Sequence, residues 1–302
     1  MRVRAHHGPA PMHTAGAWPF VTFRSFHHRG RHITWRAREH RKGLRRAARA
    51  LENAAVPFWQ AARYNWITGA FFAVGALLFM LGAGLSLVPD IGATLSGAAI
   101  AMIYFAGSVP FTIAGYLQHF QAANAPEFTP DPEPQTPATR RIAVIGWHPG
   151  NAGWISTITQ FIGTIAFNFN TFDSIDAPSS WWMQDLAIWT PGMVGSVLFL
   201  VSGTLAFIET GHAYWSWKPR DLSWWIVFVN LIGCVAFMIS SILAFVPKGA
   251  EPGWIPAMSN AQLFAGALGF LIGALLMMRE SRLADAGGST AAGTAEAARE
   301  AA

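Results

Sequence analysis

The sequence predicts an all-α membrane protein, with six transmembrane helices arranged as three tandem helical hairpins. Three observations predict it. Charged residues make up only 12% of the chain, against roughly 25% in soluble globular proteins. Six apolar stretches are each long enough to cross a bilayer. One pattern of Trp, Gly and Phe recurs in alternate stretches.

A hydrocarbon core of about 30 Å needs about 20 apolar residues in a helix. Stretches 65–88, 97–117, 153–171, 189–209, 222–245 and 261–278 meet that need, with no Asp, Glu, Lys or Arg in their middles. A soluble bundle is excluded, because these helices have no polar face to give to water. The third stretch is the weakest, since Gln160, Asn168 and Asn170 interrupt it. The many Gly residues fit membrane helices, where small side chains let backbones approach. Gly269 and Gly273 form a GxxxG step, read as intramolecular packing ahead of dimerisation, with a homo-oligomer kept as an alternative. Pro110 should kink the second helix.

The recurring pattern is W-x6-W-x8-G-x3-F. It reads Trp59, Trp66, Gly75, Phe79, then Trp147, Trp154, Gly163, Phe167, then Trp217, Trp224, Gly233, Phe237. A looser pattern follows in each second helix: Phe105 with Ser108, Phe199 with Ser202, and Phe270 with Gly273. A small residue stands four before each Phe, at Ala101, Gly195 and Gly266. Seven residues return a helix to nearly the same face, whereas nine carry it half a turn further. Each Trp pair should therefore share one stripe, and Gly with Phe should lie opposite the second Trp. The Trp residues read as interfacial anchors, with an aromatic ligand box as the competing reading. The Gly–Phe stripe should face neighbouring helices.

These units resemble the YrhK-like family of small bacterial membrane proteins, on motifs of the kind seen at Gly163–Phe167 and Phe105–Ser108. The resemblance covers about three copies, most of residues 59–280. It implies a pair of membrane helices per unit. The family brings no assigned activity, so no functional residue is carried over. Three units and a long basic N-terminus depart from a single-domain member.

The expected organisation is a basic N-terminal region (1–58), hairpin units at 59–122, 147–212 and 213–283, a Pro-rich linker (123–146) and a disordered tail (284–302). Thirteen of the 21 Lys and Arg precede Asn65. Positive charge marks the cytoplasmic side. Arg140, Arg141, Lys218, Arg220, Arg279 and Arg282 fall on the same side as the N-terminus if the spans number six. A multi-pass protein of the bacterial inner membrane with both termini cytoplasmic is therefore expected. No apolar segment of signal-peptide type stands in the first 64 residues, so the first helix is expected to direct insertion. Residues 35–55 read as a basic amphipathic helix lying on anionic lipid head groups. Nucleic acid is not an expected partner.

No chemistry stands out. His27, His28 and His32 cluster without Cys or acidic partners, so no dedicated metal site is expected. Glu209 and His212 have the spacing of a Glu-x-x-His pair, but the further carboxylates of a di-iron site are missing. Lone Cys234 reads as a small apolar filler. Gln160 and Asn230 hold the same position three before the Gly, where the first unit has Phe72. With Asn168 they are the candidate polar interior, either as hydrogen-bonding glue between helices or as the lining of a solute path. Neither enzymatic activity nor a cofactor is expected. The favoured role is a non-enzymatic scaffold or interaction protein, and the alternative is a small-solute transporter or channel with a path near Gln160 and Asn230.

Overall fold

A computed structural model describes residues 12–28, 31–44, 57–88, 94–126, 128 and 142–300, with backbone alone for 28, 31 and 288–300. The chain begins with β1 (His13–Ala15), β2 (Phe23–His28) and β3 (Arg31–Arg36), then a short helix α1 (Ala37–Lys42). Six long helices follow: α2 (Ala62–Leu87), α3 (Gly97–Ala123), α4 (Ala152–Asp173), α5 (Thr190–Gly211), α6 (Leu222–Leu243) and α7 (Trp254–Glu300). A helical turn at Trp181–Gln184 and a π turn at Asp185–Trp189 lead into α5.

Among the described residues, five helical segments are long and apolar enough to cross a membrane: Ala62–Leu87, Gly97–Ala123, Trp181–Gly211, Leu222–Leu243 and Trp254–Gly287. The third expected span does form a helix, α4, but is too polar to qualify. Its polar residues turn inward. Ser156, Thr157, Thr164 and Thr171 are buried, while Ile162, Ile165 and Phe169 are exposed.

Each long helix packs mainly on its chain neighbours, and α7 returns to α2, so the six close into a ring. The step G-x3-F stands on every helix, at Gly75–Phe79, Gly107–Phe111, Gly163–Phe167, Gly195–Phe199, Gly233–Phe237 and Gly266–Phe270, and α5 carries a second at Gly203–Phe207. The contacts are reciprocal within α2–α3, α4–α5 and α6–α7. A Cβ added at Gly75 would lie 2.8 Å from the Gly107 carbonyl oxygen, and one at Gly107 would lie 3.1 Å from that of Gly75. The matching distances are 3.2 and 3.1 Å for Gly163 with Gly195, and 2.9 and 3.0 Å for Gly233 with Gly266. Each Gly also meets the partner helix's Phe ring. On α3 the Gly–Phe step that meets α2 is thus Gly107–Phe111, where the sequence pattern points to Ala101–Phe105. Phe105 instead packs against Phe172 on α4.

The six Phe rings fill the ring's centre in two tiers. Phe111, Phe199 and Phe270 touch one another, with centroids 5.6–6.5 Å apart. Phe237 touches Phe79 and Phe167 at 6.1 and 5.9 Å.

Four expectations change. The fold is not purely helical, because β1–β2–β3 form an antiparallel sheet. The basic helix expected over 35–55 is limited to Ala37–Lys42 among the described residues, and its cations are buried in protein; 45–56 lie outside the described residues, as do the linker's 129–141. The tail expected to be disordered after Ala284 continues α7 to Glu300. Finally, Trp154 and Trp224 are buried where belt anchors would be exposed. A helix in a ring has two covered flanks. The face opposite the Gly therefore meets the other neighbour, and Trp154 packs on His119 of α3 while Trp224 packs on Phe207 of α5. Both indoles donate to backbone carbonyls, of Ile145 and Ser216. Trp147 and Trp217 are exposed and meet their buried partners edge to face. Trp59 and Trp66 are half-buried.

Candidate functional site

The end of the ring nearest α1 carries a buried charge cluster. Residue ten after each second-helix Phe is Gln121, Glu209 or Glu280, all at most 7% exposed. Opposite them, one residue before each second Trp, stand Asn65, Gly153 and Ser223. Asn65 accepts from Gln121 at 3.1 Å, and Ser223 donates to Glu280 at 2.6 Å. Gly153 leaves room for the Glu209 carboxylate and the Arg41 guanidinium, into which an added Cβ would run.

The cations come from α1. Arg38 holds Glu280 through two bonds of 2.6 and 3.0 Å, and Lys42 donates to the same carboxylate at 2.9 Å. Arg41 donates to Glu209 at 2.7 Å. Gly43 ends α1 in the left-handed region (φ 67°), and its Cα sits where a side chain would strike Gln60. Gln60, in the turn before α2, and Asn65, in the first turn of α2, donate to α1 carbonyls at 3.0 Å each. The loop between β1 and β2 holds the other side: Thr22 bonds His212 at 3.0 Å, and Tyr214 donates to the Trp18 carbonyl at 2.6 Å. Glu209 and His212 therefore serve different neighbours and do not form one site. Among the described residues, no three of His, Cys, Asp and Glu converge as metal ligands.

Below the cluster lies a cavity of about 80 Å³. All six long helices and α1 line it, and Gln118, Gln160, Asn230, Ser156 and Ser202 make it polar. Such a space holds a few waters. Gln160 and Asn230 thus meet in one cavity, while Asn168 lies elsewhere, donating to Thr112 on α3 at 2.9 Å. Beyond it come the Phe tiers, where a void of about 10 Å³ remains, no more than roughly the 10–15 Å³ one water needs. A second cavity of about 340 Å³ opens beyond the Phe tiers. It too is lined by all six helices, with Asn170, Ser174, Ser241, Asn260 and Tyr104 among its polar groups.

Sequence reasoning missed the role of Glu209 and Glu280, although both stand ten residues after a motif Phe. What the sequence could not disclose was their partners, which lie 168 to 242 residues away.

Burial lowers the Lys42 pKa to about 8; Glu280 opposes the shift, and Arg38 and Arg41 reinforce it. The folded protein thus releases this proton more readily than the unfolded chain does. Between about pH 8 and the ordinary value of 10.5 the unfolded chain binds more protons, so stability should rise with pH across that window. Melting curves of the full chain should show the rise, and Lys42→Met should lack it. Parallel pH profiles for the two proteins would contradict the assignment.

Compared with known proteins, the chain matches no family model, no curated protein and no solved structure. The class is therefore set by the fold alone. Five long apolar helices make it a multi-pass membrane protein.

Proposed function

We propose that this protein is a gated membrane pathway for a small polar solute, closed in the form described. The observation that carries the reading is axial: two cavities with polar groups in their walls, each lined by all six helices, are separated by the dry Phe tiers and covered at one end by α1. Hydrophobic constrictions of this kind gate by excluding water. Under this reading α4 is the sixth span, its inward polar face explaining its low hydropathy. The three Gly–Phe pairs are three copies of one hairpin, and the YrhK-like resemblance rests on those motifs alone. The Lys and Arg distribution supports a topology with both termini in the cytoplasm.

The two barriers lie in series, so opening one alone should change flux little. Phe199→Ala removes a ring from the constriction, and each 1.36 kcal/mol off a barrier is about tenfold in rate. In liposomes, Phe199→Ala combined with Arg41→Gln should pass urea or glycerol about ten- to a hundredfold faster than the parent, with Phe199→Leu as a gentler version. Val197→Ala, on the exposed face, should have no effect. Folded variants that pass no solute would favour the scaffold reading instead.

A further inference from the structure

We propose that Glu209 and Glu280 form a binding site for an organic cation bearing a guanidinium or primary ammonium group, and that Arg38, Arg41 and Lys42 of α1 occupy it as a tethered stand-in. The inference rests on the pathway reading and names its solute class.

Four observations carry it. First, both carboxylates are buried at the mouth of the axial cavity, at 1% and 7% exposure. Second, every ion pair they make among the described residues is with α1, a segment outside the ring. With α1 withdrawn, the ring would present two carboxylates with no ion-pair partner of its own among the described residues. Carboxylates at a cavity mouth are costly to hold away from water without a partner, so a cation is what the site takes. Third, the tethered occupant fits imperfectly. Arg41 Nε and Glu209 Oε1 are both buried and have no hydrogen-bond partner. A guanidinium can meet a carboxylate through two parallel bonds, whereas Arg41 makes one. A free guanidinium, not held by the α1 backbone, can make both. Fourth, the lining below continues the same chemistry. The Gln118, Gln160 and Asn230 amides offer acceptors for further N–H groups, and Phe72 and Phe199 offer apolar surface for a short alkyl tail.

Occupancy should then be competitive: a cation that enters must displace α1. Ala37, 7% exposed, reports α1 docking if replaced by Cys in a Cys234→Ala background of the full chain. Its rate of maleimide labelling in detergent should rise with ethylguanidinium or butylammonium chloride in proportion to 1 + [L]/Kd, about elevenfold at ten times Kd. Choline chloride at equal ionic strength, which has no N–H donor, should give no such rise. Glu209→Gln, alone or with Glu280→Gln, should label faster at the outset and lose the response. Equal rates in ethylguanidinium and choline would overturn the proposal, as would a response unchanged in every Glu variant that folds. Because the readout is displacement and not flux, a positive result beside impermeable liposomes would retain the cation site and remove the pathway.

Discussion

Gly163→Leu should abolish the folded protein in detergent, and Gly107→Leu and Gly233→Leu should do the same. At each position the backbone of the partner helix is the obstacle. The Gly195 carbonyl oxygen would lie 3.2 Å from the first added carbon at Gly163, and the Phe199 ring 2.7 Å away. A ring can rotate, but a carbonyl in a helix moves only with its helix. Leu adds three more carbons to that gap, so the α4–α5 pair must separate. Overpacking in cores typically costs about 1–3 kcal/mol where side chains can shift, and here the yielding element is a whole helix. Gly84 supplies the control. An added Cβ there meets only the Phe264 ring, at 3.7 Å. Gly84→Ala should melt at or above the parent, since Ala is the better helix former by about 1 kcal/mol. Trp154→Phe should fall between, because it deletes the bond to the Ile145 carbonyl and leaves a space against His119; a lost hydrogen bond is worth roughly 0.5–1.5 kcal/mol. Light-scattering melts of these variants would decide the order. If Gly163→Leu melted with the parent, the reciprocal Gly contact would not be what holds the pair.

The parts legible in the sequence are those set by local spacing. Apolar length revealed the helices, and W-x6-W-x8-G-x3-F revealed which Gly would face a partner. Gln160 and Asn230 were singled out by sharing one position, and they line the same cavity. The rest depends on long-range assembly. Nothing in 35–55 distinguishes an Arg side chain bound for lipid head groups from one bound for a carboxylate on α5 or α7. The amphipathic pattern is the same, and only ring closure brings Glu209 and Glu280 beneath α1. The Gly–Phe step of α3 is hidden for a local reason. Phe105–Ser108 imitates Phe199–Ser202, while the operative Phe111 follows Pro110, a residue that reads as a kink. The burial of Trp154 and Trp224 was missed because a half-turn argument treats a helix as having one partner, and a ring gives it two.

Glu280→Ala should be among the most destabilising single changes outside the Gly contacts, and its cost should come from what it leaves behind. The carboxylate accepts from Arg38, Lys42 and Ser223. Removing it strands two buried cations whose side chains are 7% and 4% exposed. Breaking a buried ion pair from one side costs about 3–5 kcal/mol. Two outcomes follow, and they separate the pair's strength from the penalty of its loss. Glu280→Ala should lower the melting temperature and expose Ala37→Cys to labelling, because α1 can shed the penalty by undocking into water. Replacing all three charged partners together, as Arg38→Met, Lys42→Met and Glu280→Met, should restore most of the melting temperature, since apolar groups of similar size often match or exceed a buried ion cluster, by about 1–4 kcal/mol. The triple variant would then be stable yet deaf to ethylguanidinium at Glu280, leaving Glu209 as the remaining carboxylate. A triple variant as unstable as Glu280→Ala would mean that the cluster itself, and not its unpaired remnants, holds α1 in the ring.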